Sequence, residues 1–227
     1  TILVNGLPLV HIELKRRGIR IQEAFNQINR YQRESFWAGS GIYDYAQIFI
    51  ISNGSETKYY SNTTRYAHVQ EQGSVRKASS KRESNSFEFT SYWTDVENNR
   101  VAELLDFAER FLDYKMLLYT LTRYCVFTAD KTLMVMRPYQ IAATEAILRR
   151  INQALNNRSF LGTTHAGGYI WHTTGSGKTL TSFKTAQLAS RDQRVKKVLF
   201  VVDRKDLDYQ TMKEYDNFEP ECANSNS

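Results

Sequence analysis

Cysteine and long apolar runs are scarce in this sequence, and each scarcity removes a class of protein. Two cysteines stand among 227 residues, Cys125 inside an apolar segment and Cys222 near the end. They provide neither a disulfide framework nor the paired spacing of a metal site, so a reducing, cytoplasmic setting is expected. No apolar run approaches the ~20 residues that cross a bilayer, and no charged start followed by an apolar stretch marks a leader. A soluble chain with no membrane partner is the expectation. The length is enough for one good core or two modest ones. Thr1 opens the chain without a methionine, directly on apolar residues, and the last residues are polar. Both ends read as cut, and a fragment is expected.

Charge is present in mild excess. A formal net charge of +6 and a pI near 9.2 fit a polyanionic partner, although an excess of this size is also common in proteins that never meet nucleic acid. The distribution is more informative. Residues 65–82 hold Arg65, Arg76, Lys77, Lys81 and Arg82 against Glu71 alone, so four of the six excess charges lie there.

Along the chain, two short apolar runs flank Asn5-Gly6, a dipeptide at ease with positive φ and therefore with a tight hairpin turn. Val10, Ile12 and Leu14 then alternate with His11, Glu13 and Lys15, a strand with one polar face. Ile21, Ala24, Phe25, Ile28 and Tyr31 recur at helical spacing. A second hairpin is predicted from 47–52 and 57–61 around Asn53-Gly54, followed by a loop or partly disordered insert at 62–86. Leu, Phe and Tyr at spacings of three and four predict one long helix or two over 101–124, forming a connection between two halves. Pro138 suits the first turn of a helix that continues to Leu155. Strands at 168–172 and 198–203 alternate with helices at 179–190 and 205–215, an order that implies a parallel sheet.

Between the first of those strands and its helix lies His172-Thr173-Thr174-Gly175-Ser176-Gly177-Lys178-Thr179. Apart from its first position this is a P-loop. Gly175 and Gly177 let the backbone amides of Thr174 to Thr179 curl around phosphate oxygens, Lys178 reaches the β and γ phosphates, and Thr179 ligates Mg²⁺. The stretch resembles motif I of superfamily 2 helicases and translocases. Upstream, Arg137-Pro138-Tyr139-Gln140 resembles the segment with which such motors recognise adenine, which implies ATP as cofactor. Downstream, Phe200-Val201-Val202-Asp203-Arg204 resembles the strand end where they touch the DNA backbone.

Glu13 and Lys15 are two apart on one strand and face the same way. A carboxylate there can hold Mg²⁺ while the ammonium steadies an attacking water or developing phosphate charge. Taken alone, Glu-x-Lys is most often a solvated strand face. Followed by Gln27-x-x-x-Tyr31 it resembles PD-(D/E)xK nucleases that carry a Gln-xxx-Tyr motif on the next helix. With RPYQ, TGSGKT and VVDRKDLDYQT, nearly the whole chain is similar to HsdR, the restriction and motor subunit of type I restriction-modification enzymes.

That resemblance implies an α/β architecture: the C-terminal part of an endonuclease domain with a mixed sheet over 1–100, connecting helices over 101–136, and the start of a RecA-like lobe with a parallel sheet over 137–227. It implies an ATP- and Mg²⁺-dependent enzyme that translocates duplex DNA and cleaves it, assembled with methyltransferase (M) and specificity (S) subunits. Glu13 would bind metal, Lys15 would assist catalysis, and Gln27 and Tyr31 would position DNA or brace the site. The metal-binding Asp of the nuclease family has no candidate in 1–10, and the DEAD-type box and second motor lobe of the translocases are missing. The isolated chain is therefore expected to hydrolyse ATP poorly and to cleave nothing. Two other readings stay open. A nucleotide kinase or standalone P-loop ATPase explains TGSGKT only, and a noncatalytic DNA-binding module would use 65–82, a stretch that could also couple cleavage to translocation.

Overall fold

A computed structural model describes residues 1–34, 41–62, 85–129, 133–202 and 205–222, without the side chains of 32–34, 85–86 and 205–207. The basic stretch at 65–82, most of the polar insert, and Asp203-Arg204 lie outside the described residues. The chain divides into two compact units, Thr1–Cys125 with Thr132–Val135 and Val126–Lys131 with Met136–Ser227. The short strands β7 (Cys125–Phe127) and β8 (Leu133–Val135) lie in the stretch where the division falls.

The first unit is built on a mixed four-stranded sheet in the order β1-β2-β3-β4. Strand β1 (Ile2–Val4) turns into β2 (Leu7–Leu14) through Asn5 and Gly6, both at positive φ (51° and 84°). A two-residue turn of this kind matches the twist of the strands it joins. Helix α1 (Ile21–Glu34) then carries the chain back, so that β3 (Ile48–Ser52) lies parallel to β2. Parallel neighbours need such a crossover. Strand β4 (Thr57–Ser61) returns antiparallel, and Asn53 shapes its turn, its side-chain oxygen accepting from the backbone of Ser55 (3.1 Å) and Glu56 (2.8 Å).

Register decides which side chains meet. His11 lies opposite Phe49 and Glu13 opposite Ile51, and α1 covers this face with Ile21, Ala24, Phe25 and Ile28, all buried. The hairpin of β5 (Trp93–Thr94) and β6 (Arg100–Val101) follows. On the opposite face Tyr59 meets Phe111 and Trp93 at ring-centroid distances of 5.0 and 5.9 Å. The expected helical segment forms two helices, α2 (Leu104–Phe111) and α3 (Tyr114–Thr122). Each starts on a carboxylate cap. Glu103 accepts from the amides of Leu105 and Asp106, and Asp113 from those of Lys115 and Met116. Such caps satisfy amides that a first helical turn leaves without partners.

In the second unit, α4 (Pro138–Asn156), α5 (Lys178–Ala189) and α6 (Lys205–Phe218) form where the sequence predicts helices. Phe183 of α5 meets Tyr215 and Phe218 of α6 at 5.3 and 5.1 Å, and the Thr185 hydroxyl donates to Thr144 of α4 at 3.1 Å. The two strands expected around these helices are a correction: 168–172 and 198–202 have no strand structure, and the parallel RecA-like sheet is not seen among the described residues. Tyr169, Trp171, Leu199 and Val201 are 90, 87, 81 and 87 % exposed. A strand exists only as one of a ladder, because its amides and carbonyls need a neighbour. Neither run has one among the described residues, and apolar β-rich composition cannot replace it. No helix among the described residues is long and apolar enough to cross a membrane.

Phe107 and Phe111 are fully buried, whereas Leu105 on the same helix is 74 % exposed. Phe111→Ala should cost about 3–5 kcal/mol of unfolding free energy by the cavity it leaves, and Leu105→Ala less than about 0.5 kcal/mol. Urea denaturation of both variants checks the assignment of faces.

Candidate functional site

The strand pair and the helix pair singled out in the sequence stand together in the first unit. Lys15 follows β2 directly, and its amide donates to the carbonyl of Ser52 at 2.8 Å, continuing the parallel ladder by one step. This fixes its side chain on the α1 side of the sheet. The Lys15 ammonium donates to Oε1 of Glu13 at 2.8 Å and to Oε1 of Gln27 on α1. Nε2 of Gln27 donates in turn to the Tyr31 hydroxyl one helical turn on. Glu13, Lys15, Gln27 and Tyr31 are thus one hydrogen-bonded row. The side chains of Glu13 and Lys15 keep only 12 and 18 % of their exposure, which strengthens their attraction relative to an ion pair in open water.

Glu13 Oε2 has no hydrogen-bond partner among the described residues, which leaves one hard oxygen for a cation. Those residues bring together no group of three or more His, Cys, Asp or Glu. Behind Glu13 on the same face, His11 is buried, with Tyr31 and Tyr43 edge-on to its ring at 6.4 Å. Burial, and secondarily the amino terminus, push its pKa below the ordinary imidazole value while Glu13 opposes them.

A cleft of about 400 Å³ opens beside the row, lined by Lys15, Arg16, Glu23, Asn26, Gln27 and Arg30 with Ile19. Of these, Lys15 and Gln27 come from the motifs. Arg16, Glu23, Asn26 and Arg30 escape the motif reading, although on α1 their spacing of three or four places 23, 26 and 30 along one edge.

In the second unit, Gly175 and Gly177 take positive φ (75° and 78°), and Gly177 caps α5. The loop is held from α4. The Ser176 carbonyl accepts from the Tyr139 hydroxyl (2.8 Å) and from Gln140 Nε2 (3.2 Å), which also reaches the Gly177 carbonyl (3.1 Å). Gln140 Oε1 accepts from the Arg137 amide at 2.8 Å, the backward reach of a capping box. Because a trans peptide is planar, a Ser176 carbonyl turned toward Gln140 turns the Gly177 N–H away from it. The anchoring role of Tyr139 was not legible in the sequence. Lys178 is exposed and Thr179 half-buried, at the positive end of the α5 dipole.

A Cβ added at Gly177 would lie 2.5 Å from Gln140 Nε2, in a left-handed backbone conformation. Gly177→Ala should therefore destabilise this unit by about 1 kcal/mol from the backbone alone, with a further steric contribution. Adding Gln140→Ala should relieve that second part, so the double variant should be more stable than the sum of the singles by about 0.5–3 kcal/mol. Strict additivity in thermal denaturation would place the two side chains apart.

Two family descriptions match the chain, "Type I restriction enzyme R protein N terminus" over residues 1–68 and "Type III restriction enzyme, res subunit" over residues 133–227. The endonuclease subunit of a type I restriction enzyme from Staphylococcus aureus (strain COL) is 46 % identical over 219 residues, covering 96 % of this chain and 20 % of its own length. The endonuclease subunit of the Escherichia coli type I restriction enzyme EcoprrI is 45 % identical over 172 residues, 76 % of this chain and 50 % of its own. A putative counterpart from Mycoplasma pneumoniae, described as a C-terminal part, is 54 % identical over 127 residues, 56 % of this chain and 62 % of its own. The chain thus spans about a fifth of the length of the staphylococcal relative. With both matched descriptions in order along it, the chain matches the HsdR-family endonuclease subunits of type I restriction enzymes.

Proposed function

We propose that the chain supplies the nuclease centre and the nucleotide-binding turn of an ATP-driven subunit that translocates duplex DNA and cleaves it, in assembly with methyltransferase and specificity subunits. The observation that carries this reading is the row Glu13–Lys15–Gln27–Tyr31: four residues separated in sequence and drawn from two motifs form one hydrogen-bonded set beside an open basic cleft.

In the nuclease centre, Glu13 would offer its unpartnered oxygen to Mg²⁺, a cation that prefers hard oxygen ligands. One carboxylate fits such an ion only in part, consistent with the family's further Asp being absent from 1–10. When bound, the ion supplies Lewis-acid polarisation of the scissile phosphate. Lys15 pairs with Glu13 and offers positive charge to the phosphate. Gln27 fixes the ammonium in place, and Tyr31 fixes the orientation of the Gln27 amide.

In the second unit, the amides of Thr174, Gly175, Ser176, Gly177, Lys178 and Thr179 border the turn that would take the ATP phosphates. Lys178 would supply charge, and Thr179 would offer its hydroxyl to the nucleotide's Mg²⁺. Arg137 and Gln140 would meet the adenine. Gln140 can do so only by releasing one of its present partners, because its amide already joins Arg137 to the two loop carbonyls.

The two centres can be separated by substitution in an endonuclease subunit containing this chain. Lys15→Ala should lower DNA cleavage by about 10²-fold or more while ATP turnover and translocation continue. Lys178→Ala should abolish ATP turnover and, with it, cleavage that depends on translocation. Wild-type cleavage by the Lys15 variant would sink the nuclease assignment; wild-type ATP turnover by the Lys178 variant would sink the nucleotide assignment.

A further inference from the structure

The cleft beside the row carries charge that the row does not use. Lys15 is engaged by Glu13 and Gln27. Arg16 and Arg30 line the same cleft, are exposed, and their side chains have no ion-pair or hydrogen-bond partner among the described residues. By contrast, Arg17, next to Arg16, reaches Glu103 at 3.2 Å. Two guanidinium groups without a partner among the described residues therefore border the cleft, with the Glu23 carboxylate on the same wall.

The wall is regular. Glu23, Asn26, Gln27 and Arg30 follow the exposed edge of α1, and the step from Glu23 to Arg30 covers about 10 Å at 1.5 Å per residue. Gln27, the residue tied to Lys15, lies between them, and Arg16 continues the wall from the loop after β2. A guanidinium presents a fork of donors that fits the oxygens of a phosphodiester, and the Asn26 amide adds a neutral donor. A surface of this make-up suits a sugar-phosphate strand laid along α1 with one phosphate at Lys15.

We propose that Arg16 and Arg30 hold the phosphates flanking the scissile one and so position the duplex in the nuclease centre, and that Glu23 weakens the grip by repulsion. Neither arginine acts on the reacting phosphate; both are positioning residues. Their charge makes the cleft beside α1 a source of DNA affinity. The inference rests on reading this unit as the nuclease centre.

The test is the salt dependence of duplex DNA binding by the whole 227-residue chain, measured by fluorescence anisotropy from about 50 to 200 mM salt. Each phosphate neutralised contributes about 0.9 to the slope of log affinity against log salt. Arg16→Ala with Arg30→Ala should lower the slope by about two, and the double Lys replacement should restore it. Glu23→Gln should raise affinity about two- to fivefold at low salt. Removing two arginines from the second unit, Arg149→Ala with Arg158→Ala, provides a charge-matched comparison and should change the slope less. All five positions substituted in these variants are exposed, and thermal denaturation should show an unchanged fold. An unchanged slope in the Arg16/Arg30 variant, or an equal fall in the comparison variant, overturns the proposal. The nuclease reading is judged separately by cleavage with Lys15→Ala, so either can fail while the other stands.

Discussion

The parallel pairing of β2 with β3 is the constraint on which the candidate nuclease centre depends. Parallel strands require a crossover, and here the crossover is α1. The same element that makes the pairing topologically feasible therefore carries Gln27 and Tyr31 to the face on which Glu13 and Lys15 point. A slip of one residue would turn Glu13 and Lys15 to the opposite face, toward Tyr59 and Phe111, and their partners on α1 would be lost. The apolar residues that prevent the slip are Phe49 and Ile51 on β3 with Phe25 and Ile28 on α1, all close to fully buried. Core packing and site geometry are one arrangement in this unit.

The second unit follows another logic. Its helices pack on one another, and among the described residues the TGSGKT turn is held by side chains of α4 and not by flanking strands. Tyr139 and Gln140 grip the Ser176 carbonyl, and the close approach of Gln140 to Gly177 leaves no room for a side chain there. Glycine at 177 thus serves two needs: a left-handed backbone and contact with a buried amide. The Gly177 N–H points away from Gln140 as a consequence of where the Ser176 carbonyl is tied, and the Ser176 N–H donates to the Thr173 carbonyl at 3.3 Å.

Local features of the fold were legible in the sequence. Asn5-Gly6 and Asn53-Gly54 marked turns because their backbone preferences are intrinsic, α1 and α4 were readable because an apolar face at helical spacing needs no distant partner to be recognised, and α5 and α6 were read from their place after the P-loop and the next apolar run. The strands at 168–172 and 198–203 were read by the same composition rules and did not form among the described residues, since a strand depends on neighbours that composition cannot supply. In the site, Glu13, Lys15, Gln27 and Tyr31 were identifiable by motif, but not that Gln27 would join them by bonding both Lys15 and Tyr31. Arg16 and Arg30 were invisible to motif reasoning, because their significance is that their side chains have no partner among the described residues, and that is a three-dimensional property.

The central claim is that these four residues act as one unit, and a double-mutant cycle on the chemical step addresses it directly. Single-turnover DNA cleavage would be measured for an endonuclease subunit containing this chain, with Lys15→Ala, Gln27→Ala and both together. If Gln27 acts by holding the Lys15 ammonium, the double variant should cleave no more slowly than Lys15→Ala alone. If the two rate losses multiply, Gln27 acts independently of Lys15 and the hydrogen-bonded row is not the catalytic unit.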